Sequence, residues 1–203
     1  MSTHYCPECG APHERAPEEI NVSRSKPRII PRSRWTTTTS NAPPAKSSQI
    51  EGVALHYPGT PGTIGLESEA QTAARLEGYR RQHVNVNGWK DIAYNVAVDQ
   101  RGNLWTLRGV SRQAGANGTT AGNRAYGAIL MLIGNNETPT AAMIAGVQYA
   151  ARLWDARYQG VKYMRPHSYF VRTACPGSPV RRLLNDGSTF YMRTARERWP
   201  GVK

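Results

Sequence analysis

Acidic residues are scarce: 14 Asp plus Glu stand against 26 Lys plus Arg in 203 residues, a net charge of +12 and a pI near 10.1. That imbalance favours polyanionic partners such as nucleic acid, anionic lipid or acidic cell-wall polymers, without choosing among them. Long apolar runs are missing too. None approaches the ~20 residues that a membrane-spanning helix needs. The opening MSTHYCPECG has no basic stretch followed by an apolar one, so no signal peptide is expected and synthesis in the cytoplasm is. Cysteine is limited to 3 residues. An odd count without an export signal argues against a disulfide framework and for metal binding or catalysis. Internal repeats are absent.

What is present fits one domain with short appendages. A core on this scale folds without disulfide staples, and 14 prolines with 19 glycines imply many turns. Residues 1–31 have little apolar periodicity and read as an N-terminal arm. Residues 32–190 carry the domain, with Trp35 as a packing anchor near its start and a polar loop at 36–49. Residues 191–203 form a basic tail, part of a C-terminal crowd of Arg181, Arg182, Arg193, Arg196, Arg198 and Lys203.

Within the domain, Gly52–His56 reads as a buried strand ending at a histidine, followed by a Gly/Pro loop at 58–65. Residues 67–82 suit a helix with Ala70, Ala73, Ala74 and Tyr79 on its apolar face. Ile92–Val98 alternates as a strand does, 99–103 is a turn, and Leu104–Arg108 returns as the hairpin partner. Ala128–Ile133 is another buried strand. Thr138 before Pro139 predicts a helix start, with Ile144, Val147, Ala151 and Trp154 on the buried face of residues 139–157. Ser178–Pro179 opens a last helix that buries Val180, Leu183 and Leu184 and stops at Gly187. Strands alternating with helices, with one hairpin, predict an α/β fold: a central mixed β-sheet flanked by helices.

The histidines are His4, His13, His56, His83 and His167. His56 closes a strand, His167 sits in Arg165-Pro166-His167-Ser168, and Cys175 follows in Thr173-Ala174-Cys175-Pro176-Gly177. Zn²⁺ accepts imidazole nitrogen and thiolate sulfur together. Two His and one Cys leave a fourth position open, as catalytic zinc sites do. Spacing alone does not make these side chains converge, and unrelated core residues would read the same way. Near the N-terminus, His4, Cys6, Cys9 and His13 suit either a closed structural zinc site or a pair of free thiols on an arm; no second C-x-x-C half supports the first.

Four words in order, VALHYPG (53–59), GWKDIAYNVAVDQRGNLWTLRG (88–109), NRAYGAILMLIGN (123–135) and PHSYFVRTACPG (166–177), resemble the N-acetylmuramoyl-L-alanine amidase family, which includes peptidoglycan-recognition proteins and phage amidase lysins. Arg32-Ser33-Arg34-Trp35 is similar to the family's Arg-x-x-Trp lead-in. The likeness spans roughly residues 28–187. It implies zinc ligands at His56, His167 and Cys175, a catalytic tyrosine at Tyr94 and an oxyanion-side hydroxyl at Thr173. Outside that context, Tyr94 is a strand-face tyrosine and Thr173 a loop hydroxyl. The implied activity is zinc-dependent hydrolysis of the amide between N-acetylmuramic acid and L-alanine, by a monomeric phage endolysin made in the host cytoplasm and acting on the wall after release. The basic surface would hold it to anionic wall polymers.

The chain departs from the pattern at Pro58, at Asn117 (where Gly-Ala-His is frequent) and at Asn95, which follows Tyr94. His83 echoes a helix-ending histidine and reads best as a structural cap. A rival is a non-catalytic peptidoglycan-binding module of the same fold. Such modules characteristically lose the cysteine that this chain keeps at 175. A nucleic-acid-binding protein, suggested by pI and Cys-Pro-Glu-Cys-Gly, leaves the His56, His167, Cys175 register unexplained, so no nucleic acid is expected.

Overall fold

The computed structural model describes residues 26–159, 161 and 163–185. The His4, Cys6, Cys9 and His13 cluster, Gly187 and the basic tail lie outside them. Among the described residues the strands are β1 (Ile29–Ile30), β2 (Gly52–His56), β3 (Val96–Val98), β4 (Leu104–Thr106), β5 (Tyr126–Met131) and β6 (Tyr163–Pro166). The α-helices are α1 (Glu69–Arg81), α2 (Thr120–Ala125), α3 (Ala141–Tyr158) and α4 (Ser178–Asn185). The strands form one mixed sheet in the order β1-β4-β3-β5-β2-β6. Only β3 and β4 pair antiparallel; every other neighbouring pair is parallel. The α/β architecture is the one expected from the alternation of elements.

Parallel strands covered on both faces bury consecutive residues, and β2 and β5 are buried along their whole length. Period-two alternation divides them between two cores. Val53, Leu55, Val96, Val98, Ile129 and Met131 face α3 and α4, against Met143, Val147, Trp154 and Val180. Ala97, Leu130 and Leu132 face the other way with Trp35, Leu76 and Trp105. Trp35 is indeed an anchor, buried with its indole N–H donating to the Thr106 carbonyl at 2.9 Å. Gly127 is needed where α3 crosses β5, because a Cβ there would lie 2.2 Å from the Trp154 ring.

Element ends differ from expectation for identifiable reasons. α3 is capped by Thr140, whose hydroxyl accepts from Met143 N–H at 3.0 Å, so Thr138 and Pro139 belong to the approach. α1 begins one residue after Ser68, which forms a capping box with Gln71. Its inward face is Thr72 and Leu76, with Ala73 and Tyr79 partly buried, while Ala70 and Ala74 are exposed. Small alanines tolerate either side, and Leu76 decides the rotation of the helix. Ile92, Ala93 and Asn95 are buried and Tyr94 is partly buried, but none of the four belongs to a strand. They lead into β3 through Asn95, whose side chain accepts from Ala128 N–H and donates to the carbonyls of Gly109 and Arg112. Ile29 and Ile30, assigned above to the arm, pair with β4 instead. Among the described residues no helix is long and apolar enough to cross a membrane.

Candidate metal centre

In parallel strands the residues beyond paired positions emerge side by side at the carboxyl edge, where α/β sheets place their ligands. Leu55 of β2 pairs with Pro166 of β6. The next residue on each chain is a histidine, and the His56 and His167 rings lie 4.5 Å apart between centroids. Cys175 reaches the same point from the loop before α4. Its Sγ is 3.8 Å from His56 Nδ1 and accepts from Tyr57 N–H at 3.4 Å. The donor atoms of His56, His167 and Cys175 all lie within 4.8 Å of one another.

Several observations bear on whether a metal fits. Zinc–nitrogen and zinc–sulfur bonds of ~2.0–2.3 Å at a tetrahedral centre put donor atoms roughly 3.3–3.7 Å apart. The His56–Cys175 edge at 3.8 Å is near that value. Among the described residues His167 Nε2 is buried without a hydrogen-bond partner, an orphan of the kind that a metal ligand would be. Burial and the neighbouring His167 hold His56 far below the ordinary range, at about 3, against the opposing pull of its bond to Asn117. Burial lowers His167 as well. Both rings are therefore neutral near pH 7, the form that ligates. Burial pushes the Cys175 thiol up to about 12 against the pull of the Tyr57 backbone and Arg181, so a cation binding there must displace its proton. The residues present fit a borderline-soft divalent cation with an open position.

Tyr94 stands beside this cluster, its ring 5.4 Å from that of His56 in an edge-on arrangement. Burial, then the nearby Cys175 and Tyr79, raises its hydroxyl well above the usual phenol range. Thr173 is two residues before Cys175, and its Oγ1 accepts from the Cys175 N–H at 3.2 Å. The structure thus brings Tyr94 and Thr173 to the same edge as the His/His/Cys cluster.

Two supporting residues carried no decisive signal in the chain. Asn117, fully buried, places its Oδ1 2.9 Å from His56 Nε2; the sequence showed only a departure at that position. Arg181 of α4 donates to the carbonyls of Thr173 and Cys175, at 2.5 and 3.4 Å, and so braces the loop that carries both. Its counting among the basic residues of the C-terminal end hid that role. His83 does not join the cluster. It lies in the π-helical turn Gln82–Val86 after α1, where Nδ1 accepts from Ala93 N–H at 3.1 Å. It caps the segment leading to Tyr94 rather than its own helix.

No family model matches the chain. Among curated proteins it is 29% identical over 184 residues to the N-acetylmuramoyl-L-alanine amidase of Sus scrofa, covering 84% of this chain and 29% of that protein. It is 24% identical over 154 residues to peptidoglycan-recognition protein SC2 of Drosophila simulans, covering 75% of this chain and 82% of that one. Thus the chain spans under a third of the length of the first relative and most of the second. Among solved structures, peptidoglycan recognition protein-LE in complex with tracheal cytotoxin superimposes with a TM-score of 0.66 at 25% identity, over 84% of this chain and 98% of that one.

Proposed function

We propose that this chain, a relative of the N-acetylmuramoyl-L-alanine amidases and peptidoglycan-recognition proteins, is a zinc-dependent hydrolase of the amide between N-acetylmuramic acid and L-alanine. The observation that carries the proposal is the cluster of buried His56 and Cys175 with half-buried His167 at one sheet edge. Residues 32–190 form the catalytic domain in this reading. The bound polymer is peptidoglycan, and the net charge of +12 supports added retention on anionic wall polymers. The biological setting proposed from the basic charge and from sequence words resembling a family that includes phage lysins is a monomeric, bacteriolytic endolysin.

His56 Nδ1, His167 and the Cys175 thiolate would hold the zinc. When bound, zinc supplies a Lewis acid for the amide carbonyl and a water acidified from pKa 15.7 towards ~7. Cys175, committed as ligand, is not a nucleophile, and no covalent intermediate is involved. Tyr94 keeps its phenolic proton at neutral pH because burial disfavours the phenolate. It therefore orients the attacking water and relays a proton from that water to the leaving amine of L-alanine, taking one up as it gives its own and ending the turnover protonated. Thr173 Oγ1 already accepts from Cys175 N–H, which leaves its own O–H free to donate to the developing oxyanion.

The test is release from purified peptidoglycan by wild-type protein, by chelator-treated protein with and without zinc restored, and by Cys175→Ala. New L-alanine amino termini without new reducing sugar ends, lost on chelation and in the variant, support the amidase. New reducing ends would instead mean a glycosidase and defeat it. Wall binding with no bond cleaved would favour the recognition-module reading, which the recognition-protein relative keeps in view.

A further inference from the structure

We propose that Asn117 is a positioning residue that selects the metal-binding tautomer of His56, an inference that rests on the zinc reading above. A neutral imidazole carries its proton on one nitrogen, and the other nitrogen is the ligand; the partner of the protonated nitrogen decides which is which. His56 is 1% exposed, so water does not make that choice. The partner is Asn117, itself 0% exposed, with Oδ1 2.9 Å from His56 Nε2.

An asparagine amide has two faces, and its orientation has to be argued from its neighbours. Here the neighbours settle it. Asn117 Nδ2 donates to the Gly122 carbonyl at 2.9 Å and to the Tyr126 carbonyl at 2.8 Å. Turning the amide over would set its oxygen against both carbonyls with no proton between them. The backbone around Asn117 is tied as well, since its N–H donates to Asn123 Oδ1 at 2.9 Å. Gly122 is accommodated only as glycine, because a Cβ there would come within 2.9 Å of Phe170 and 3.2 Å of the Asn117 side chain.

With the amide so held, Oδ1 can only accept, and His56 must present Nε2–H to it. The Nδ1 lone pair then faces Cys175 Sγ, 3.8 Å away. Asn117 thus does by a neutral carbonyl what a carboxylate does in many histidine sites, without adding negative charge beside the thiolate. α2 and the start of β5 supply the carbonyls that fix the amide, so the tautomer of a β2 residue is set by the neighbouring helix–strand corner.

The test uses full-length protein labelled with ¹⁵N-histidine. Long-range proton–nitrogen correlation on zinc-free wild type is expected to show the Nε2–H tautomer at His56. Zinc affinity by chelator competition is expected to fall roughly 10–100-fold in Asn117→Leu. In Asn117→Asp, which retains an acceptor, affinity is expected to stay within about threefold of wild type. That variant should melt lower, its second carboxylate oxygen facing the Gly122 and Tyr126 carbonyls. An Nδ1–H tautomer in wild type overturns the proposal even if neither variant folds. Wild-type affinity in folded Asn117→Leu overturns it while leaving the zinc reading intact. Failure of wild type to bind zinc overturns both.

Discussion

His56 and His167 stand side by side because Leu55 and Pro166, the residues before them, are partners in a parallel ladder. Sequence distance between them is therefore irrelevant to their geometry. A hydrogen-bonded register holds the ring centroids 4.5 Å apart, and Cys175 has only to arrive from one loop. The consequences can be tested residue by residue.

Cys175→Ser replaces a soft thiolate by a hydroxyl that ionises far less readily. Zinc content measured by atomic emission should fall to a small fraction of wild type, and amidase activity with it. The fold should remain, because the side chain is small and its backbone N–H is held by Thr173. Full zinc occupancy in this variant would remove Cys175 from the ligand set.

Tyr94→Phe keeps the ring that packs edge-on against His56 and removes only the hydroxyl. The expected result is a loss of about 10²–10⁴ in kcat, the range for a positioned proton donor, with zinc content and Tm unchanged. An unaltered kcat would return Tyr94 to a packing role.

Thr173→Val removes the hydroxyl at nearly constant volume. Loss of one oxyanion donor costs about 10²–10³ in kcat, while Thr173→Ser should restore most of the rate. Equal defects in both variants would point to disturbance of the Cys175 loop, where Arg181 also binds the Thr173 carbonyl.

His83 predicts a pH dependence of stability. Burial first, and then the Arg108 charge, hold its imidazole down at about 4 from an ordinary 6.5, against the opposing effect of Asp91. The folded state thus takes up the proton later than the unfolded chain does. The stabilisation from neutral His83 is complete above pH 6.5 and is lost as pH falls towards 4. In denaturant titrations the difference between wild type and His83→Gln should be largest at pH 7 and shrink by pH 4.5. A difference that is flat with pH would show that His83 titrates normally.

Gly127→Ala should destabilise the domain by about 1–3 kcal/mol, as overpacking does. The added methyl would meet the Trp154 ring at 2.2–2.4 Å. Denaturant unfolding measures it, and wild-type stability would mean that α3 shifts on the sheet at little cost.

Much of this molecule was legible along the chain. The burial of Ile144, Val147, Ala151 and Trp154 follows from helical spacing, and the Asp99 turn follows from its residue types. Asp99 there accepts from the backbone N–H groups of Arg101 and Asn103 and from the Trp105 indole. The two-residue β1, the four-residue β6 and the short α2 escaped, because segments so brief have no periodicity to read. The face of α1 was placed only in part: Ala73 and Tyr79 pack inward but Ala70 and Ala74 do not, because alanine is indifferent to burial whereas Leu76 is not.

Residue types and their order determined the kind of chemistry on offer. A strand ending in His56, a loop His167 and a lone Cys175 are a zinc-type donor set wherever they sit, since the softness of nitrogen and sulfur is a property of the atoms. Tertiary structure alone decided that the donors meet, which nitrogen of His56 faces them, and that Asn117 and Arg181 brace them. Those facts depend on strand register and on hydrogen bonds between residues more than 60 positions apart for His56 and Asn117. Local preference does not encode such distances; the packed sheet does.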